Sequence, residues 1–428
     1  MTSIKERVSK QDGYQLHFIK SNKFKTNSIT VKLKAPLNRN TITQRALLPY
    51  VLNQGTNNYP SKQELQLKLD DLYGSVMGFS GGKKGENHII TIRIELANKK
   101  FIPENVDIMS EGIGLVHDIL YNPYTKDNRF DKSIFNREKD TLRQKINAQK
   151  DDKMSYANMR LIDEMCKGEK YQLHVHGYEE DLKDLTNDEL YSYYETMLQS
   201  DQMNIYVHGD FDEEEVTNQF NAVFQRRDNP VAKEEKLEKI QEIKQKEIIE
   251  KDKIQQAKLH IGYRTNTTYR DKEYFALQVF NGIFGGFPSS KLFINVREKN
   301  SLAYYAASRL ESQKGLLLVF SGIADEDFEK ARDIIRLQME AMKDGDFTAD
   351  NLRETKELIV NQLLETMDHP QGIIELLYQQ VLAGVTRSPE ELIENIKQVT
   401  KQDVINASKK IDEDTLYLLT QEGRGTNA

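Results

Sequence analysis

One long pattern in this sequence returns about 200 residues later. A chain that repeats a pattern of that length is constrained to fold as two like units. The first copy covers residues 130–146 and continues to Gly168; the second covers 347–363 and continues to Gly384. In each, a short polar start precedes a long stretch with apolar residues at helical spacing. A break follows, and a second helical stretch stops at a glycine. Other elements recur in step. Residues 88–96 alternate β-branched and polar side chains and read as a strand before a helical stretch at 106–120; residues 316–322 read as a strand before a helical stretch at 328–342. A polar helix at 187–197 leads into a strand at 202–208, and one at 401–410 leads into a strand at 415–420. Both halves are therefore expected to be mixed α/β layers with mostly antiparallel strands, in the α+β class. The expected boundaries are 1–227 and 257–428, joined by a linker at 228–256 dense in Lys and Glu. Such a charge run reads as solvated surface, or as a hinge between the halves.

Residues 284–304, Phe284-Gly-Gly-Phe-Pro-Ser-Ser-Lys-Leu-Phe-Ile-Asn-Val-Arg-Glu-Lys-Asn-Ser-Leu-Ala-Tyr304, concentrate the chemistry. Gly285 and Gly286 lack a Cβ and let backbone approach a neighbour closely. Ser289 or Ser290 is a candidate helix N-cap, and Leu292, Phe293 and Val296 recur at helical spacing. Arg297 and Tyr304 flank the break after that helix. A planar cation and a phenol suit a peptide carbonyl or carboxylate, although an Arg and a Tyr alone can equally cap a helix and fill a groove. The segment resembles the second half of the pitrilysin/insulinase-type zinc peptidases, which include the mitochondrial processing peptidases. In that family a glycine-containing turn leads into S-x-L-F-x-x-V-R-E-x-x-x-L-A-Y, matched here from Ser290 to Tyr304. The resemblance implies that Arg297 and Tyr304 contact substrate backbone near the scissile bond. It also implies that Gly285 and Gly286 stand where a non-catalytic processing-peptidase subunit carries its glycine-rich substrate loop.

The same resemblance exposes a loss. The family binds zinc through H-x-x-E-H on a helix, followed by a Gly-Thr pair. The two His are ligands and the Glu activates water. Aligned on Gly55-Thr56, Ala46 and Tyr50 stand at the His positions and Pro49 at the Glu. The third ligand is a Glu seven residues after another acidic residue. With Glu138 at the earlier position, the ligand position holds Lys145. No H-x-x-E-H or H-x-x-x-H occurs anywhere in the sequence. The expectation is a non-catalytic member with no catalytic residue and no metal site of its own.

Other chemistry finds little support. A net charge of -7 argues against nucleic acid or an anionic membrane as a partner. No apolar run approaches the roughly 18 residues needed to span a bilayer. The N-terminus has no signal-peptide core, and Cys166 is alone, so a cytoplasmic protein without disulfides is expected. Cys166 reads as buried core. His174 and His176 form the one close histidine pair; in a strand both would share a face, but no Cys or carboxylate cluster accompanies them, which favours a structural or loop role. Residues 81–85 lack phosphate-loop spacing and read as a hairpin loop. No nucleophile elbow G-x-S-x-G is present.

What the resemblance implies is a non-catalytic, peptide-binding subunit of a heterodimeric zinc metallopeptidase, like the non-catalytic members in Bacillus-type bacteria. Two similar α/β rolls, ferredoxin-like in their repeat, would form a clamshell around a chamber. The implied partner is a similar-sized subunit with an intact H-x-x-E-H. It would carry the zinc, and this chain would need no cofactor. Substrates would be unfolded peptides, and the chain alone could form a homodimer. The alternative is a peptidase-derived scaffold or peptide-holding protein, with Arg297 and Tyr304 as relics. An active homodimer with another metal set would need ligands that the sequence does not offer.

Overall fold

The computed structural model describes residues 4–103, 106–224 and 245–422. They fall into two compact units: one holds Met1–Ala148 and Leu173–Lys236, the other Gln149–Gln172 and Leu237–Ala428.

The first unit begins with strands β1 (Glu6–Gln11), β2 (Tyr14–Lys20) and β3 (Thr26–Pro36), then helices α1 (Ile42–Leu52) and α2 (Lys62–Asp71). A hairpin follows, β4 (Val76–Lys84) and β5 (Asn87–Ala97), then α3 (Ile108–Tyr121), a short ribbon β6 (Thr125–Lys126) and β7 (Arg129–Phe130), and the long α4 (Lys132–Asp151). After α5 (Lys153–Met165), the chain adds α6 (Glu179–Asp184), α7 (Asn187–Ser200), β8 (Gln202–Gly209) and α8 (Glu213–Val223) to this unit. The sheet order is β1-β2-β8-β3-β5-β4, with β2 and β8 parallel and the other pairs antiparallel. Alternation sets one face against the helices. Ile29, Val31 and Leu33 of β3 and Ile90, Ile92 and Ile94 of β5 share a core with Leu47 and Leu48 of α1, Val116 and Ile119 of α3, and Leu142 of α4. Each such side chain contributes about 1.5–3 kcal/mol on burial.

The second unit runs β9 (Lys246–Asp252), β10 (Ala257–Arg264), α9 (Tyr274–Asn281), β11 (Ala303–Glu311) and β12 (Leu316–Ile323). Then come α10 (Phe328–Lys343), α11 (Ala349–Met367), α12 (Pro370–Ala383), α13 (Pro389–Gln398), α14 (Lys401–Ser408) and β13 (Asp412–Gln421). Thr348, Ser388 and Thr400 start α11, α13 and α14 with reciprocal capping boxes, and Gly384 ends α12 in a left-handed conformation at φ 65°. The sheet order is β9-β13-β10-β12-β11, again with one parallel pair, β9 and β13.

Five of the six strands of the first sheet match the second: β2-β8-β3-β5-β4 corresponds to β9-β13-β10-β12-β11, and β1 is an addition at the edge. The sequence repeat is thus a repeat of topology, two mixed α/β units as expected. Two boundaries differ from the expectation. Part of the expected linker at 228–256 lies outside the described residues. Its described end forms β9, which fills in the second sheet the place β2 fills in the first. Residues Gln149–Gln172, expected in the first half, belong to the second unit. Their helix α5 lays Ala157, Leu161, Ile162 and Met165 on Leu316, Leu318 and Phe320 of β12 and on Tyr417 and Leu419 of β13. Gly262 makes room: a Cβ there would stand 2.5 Å from the Met165 sulfur. Arg160 pairs with Glu250 of β9 at 2.5 Å, and Arg264 donates to the Met165 carbonyl at 2.7 Å. Cys166 is buried in this cluster, as expected. The β4–β5 hairpin also turns later than expected. Lys84 faces Asn87, so the turn is Gly85 (φ 52°) with Glu86, while Gly81 and Gly82 lie within β4.

Candidate functional site

The first unit holds the residues aligned with the expected zinc site. Ala46, Pro49 and Tyr50 lie in α1, with Ala46 and Pro49 buried. A methyl group and a proline ring offer a cation nothing. The Tyr50 phenol is held protonated by burial and, next, by the nearby Glu138 carboxylate. Lys145 is exposed on α4, and its charge helps depress the proton affinity of His176, whose burial is the larger cause. Glu138 is itself engaged, accepting from Arg137 at 2.8 Å, while Arg137 also donates to Gln54 at 2.7 Å. These residues do not fit zinc. Among the described residues, no three His, Cys, Asp or Glu stand close enough to hold a metal ion. His174 and His176 lie in a loop, where His174 stacks on Tyr178 at 4.8 Å.

Sequence reasoning missed the most heavily bonded group here. Arg45, immediately before Ala46, is 1% exposed. Its guanidinium lies 2.6 Å from the buried Asp201 carboxylate and donates to the Leu33 carbonyl at 2.8 Å. Its Nε donates to His88 Nδ1 at 3.2 Å, while His88 Nε2 donates to the Val175 carbonyl at 3.1 Å. That arrangement requires a neutral His88, and burial first, then the Arg45 charge, lowers its pKa to about 3. A lone Arg opening the run Ala-Leu-Leu-Pro was the available signal. Its partner is remote in sequence.

In the second unit, residues 284–304 form a framed surface. Gly282–Gly286 continues α9 as a π-helical turn, and a second π-helical turn spans Phe293–Glu298. Such turns are rare and concentrate at functional sites. Ser290 precedes the two helical residues, 291–292, that lead into the second one, its Oγ accepting from the Phe293 amide at 3.4 Å. Leu292, Val296 and Leu302 anchor the segment in the core. The Leu302 amide donates to the Val296 carbonyl and the Ser301 amide to the Arg297 carbonyl, each at 3.0 Å, with Ser301 at φ 53°. This clamps the turn to the start of β11, the edge strand. The exposed Arg297 stacks its guanidinium on Phe293, 4.6 Å from the ring centroid, and among the described residues it has no ion pair. In the β11–β12 register, Ala303 faces Ile323 and Tyr305 faces Gly322. Tyr304 is therefore the extra residue of a β-bulge, and it is 78% exposed. Bulges re-aim side chains in this way, often beside active sites.

The glycines behave differently from one another. Gly285 is buried, and a Cβ on it would stand 2.5 Å from the Ser308 hydroxyl and 2.8 Å from the Ser308 amide of β11. The close approach it permits is to its own sheet, which corrects the expectation that it faces a substrate. Gly286 is exposed, with its constraint coming from Asn281 at 2.9 Å.

Residues 184–359 match the family described as "Peptidase M16 inactive domain". A protein of Bacillus subtilis (strain 168), "Probable inactive metalloprotease YmfF", is 45% identical over 419 residues, covering 98% of this chain and 98% of that protein. The chain belongs to the M16 peptidase family. With non-ligating side chains at all four expected zinc-site positions, it stands among the inactive M16 members. Solved structures share this fold. A conserved protein from Enterococcus faecalis V583 is 30% identical, with a TM-score of 0.89 over 97% of this chain and 99% of that one. A protease from Helicobacter pylori shares the fold at 15% identity, with a TM-score of 0.82 over 98% and 100%.

Proposed function

We propose that the chain is the non-catalytic, peptide-binding subunit of a two-chain M16 peptidase, acting in the cytoplasm beside a similar-sized subunit that retains H-x-x-E-H and holds the zinc. The observation that carries this reading is the contrast between the two units. Beside the degenerate site in α1 the charged group is buried and paired, Arg45 with Asp201. At residues 284–304 an Arg without an ion pair among the described residues and a bulge-borne Tyr are held out to solvent. Discarded machinery gives no reason to hold two such groups exposed. Arg297 would grip a substrate carbonyl or carboxylate with its planar fork. The Tyr304 hydroxyl would donate to the scissile carbonyl as negative charge develops on its oxygen. Unfolded peptides are the class of substrate that offers free carbonyls to such groups.

The test mixes the purified chain with a relative carrying H-x-x-E-H and follows cleavage of a fluorogenic peptide pool. Activity is expected only in the mixture. Arg297→Ala should lower it about tenfold, the value of one charge-assisted hydrogen bond, and Tyr304→Phe about a hundredfold in kcat, with assembly unchanged by light scattering. Activity in the mixture that ignores both substitutions would sink the assigned roles. An assembled but inactive mixture would favour the scaffold reading instead.

A further inference from the structure

A cavity of about 150 Å³ lies in the second unit beneath the same segment, between the π-helical turn at 293–298 and the first turns of α11. Ile283 and Ile294 give it apolar walls. Its polar lining includes the Ser289 and Thr355 hydroxyls, the Asn351 amide and the Lys291 and Lys299 ammonium groups, together with Asn295, whose NH2 is already committed to the Lys291 carbonyl and to Gln338. The Asn351 oxygen already accepts from the Thr348 amide at 3.1 Å, which leaves its NH2 to offer. Thr355 is 4% exposed, and among the described residues its hydroxyl has no protein partner. That hydroxyl is therefore free to donate to a group placed in the cavity. Lys291 is 3.3 Å from Asp346, a carboxylate that is 80% exposed, and Lys299 has no ion pair among the described residues. Glu354 is the carboxylate in the lining. The start of α11 adds its own positive end.

We propose that this cavity holds the carboxylate of a peptide, a reading that rests on peptide binding at Arg297 and Tyr304 and extends it to a preferred class of peptide. The carboxylate takes hydrogen bonds from Lys299, Thr355 and Asn351, and the apolar part of the same residue lies on Ile283 and Ile294. Size supports one residue, since a cavity near 150 Å³ accepts a group about as large as benzene. Charge supports a monoanion. The charged residues of the lining are Lys291, Lys299 and Glu354, two positive and one negative, which leaves a single excess positive charge for a monoanion to meet.

The test measures affinity of the full chain, by fluorescence anisotropy, for three otherwise identical labelled peptides: a free C-terminal acid, a C-terminal amide, and an amide whose last side chain is Glu. The acid should bind about tenfold tighter than the plain amide, as one charge-assisted hydrogen bond predicts. The Glu-ended amide reports whether a side-chain carboxylate serves as well as the chain terminus. Lys299→Ala, at an exposed position, and the near-isosteric Thr355→Val should each erase the preference, whereas Arg297→Ala should weaken acid and amide alike. Equal binding of acid and amide overturns the cavity proposal while leaving the Arg297 reading intact. A preference that follows Arg297 and ignores Lys299 also overturns it, as does competition by inorganic phosphate stronger than by acetate. Failure of all three peptides to bind counts against the Arg297 reading. The cavity is then probed alone with an N-acetyl amino acid by NMR: Lys299-dependent shifts uphold it and their absence overturns it.

Discussion

Three histidines define the residue scale of this fold, since His88, His208 and His260 sit at or near zero exposure in central strands. Burial lowers His260 to a pKa of about 3 and His208 to about 4, and among the described residues neither ring has a hydrogen-bond partner. His88 falls to about 3 through burial and the adjacent Arg45. A histidine lowered in the native state stays neutral there while its unfolded counterpart gains a proton below the ordinary value near 6.5. The unfolded chain then binds more protons, so stability is constant above about pH 6.5 and falls as pH drops toward 3 to 4. Each such group contributes a slope of about 1.4 kcal/mol per pH unit in that window. His260→Leu, which removes an unpartnered ring from beside Phe320, should flatten the stability profile from urea titrations between pH 6 and 4.5 by about that slope. An unchanged slope would mean that His260 is protonated or relieved in the native state. The sequence shows His88 and His208 in strand-like runs, but not that the rings of His208 and His260 lack partners among the described residues, because that depends on which residues fold over them.

At the scale of elements, periodicity revealed existence better than destination. Nearly every repeated helix and strand lies within a few residues of its expected span, because alternation and 3.6-residue spacing report burial directly. Helix α5 shows what periodicity omits. Its apolar stripe demanded cover, yet nothing in the stripe says that the cover is the β12–β13 face of the other repeat. Leu161→Ala, at 0% exposure in that contact, should cost about 2–5 kcal/mol as transfer energy and residual cavity combine. The same substitution at exposed Leu67 should cost much less, under about 0.5 kcal/mol. Equal costs at both positions, read from denaturant midpoints, would contradict the packing of α5. The π-helical turns escaped the sequence for a related reason. Leu292, Phe293 and Val296 satisfy ordinary helical spacing, and the wider winding that presents Arg297 follows from the clamp between Val296 and Leu302. The bulge at Tyr304 was equally silent, since it exists only as a register shift against β12.

At the scale of the whole molecule, the two repeats share one topology and diverge in what each does with its polar groups. That Ala46, Pro49 and Tyr50 are poor zinc ligands was legible because ligand chemistry is discrete: methyl, ring and phenol do not coordinate as imidazole does. What holds that region in place was not legible. In a metal-dependent fold, ligand bonds contribute to stability, and chelation lowers it. Here the corresponding helix is fixed by a buried guanidinium bound to Asp201, Leu33 and His88. Breaking a buried pair by removing one partner strands the other charge, at a cost of about 3–5 kcal/mol. Two outcomes should therefore separate. Strong chelators should leave the thermal unfolding midpoint of the chain unchanged, with no zinc detected by mass spectrometry. Arg45→Ala should lower the midpoint by more than 5 °C, at roughly 2–4 °C per kcal/mol for units of this size. Replacing Arg45 and Asp201 together by apolar residues should recover much of the loss, since no charge is then left unpaired. Stoichiometric zinc with a chelator-sensitive midpoint would require ligands beyond those brought together among the described residues, and would return the first unit to metal chemistry. A chelator-insensitive chain that depends on Arg45 would show that the Arg45–Asp201 ion pair, and no metal, fixes α1 in place.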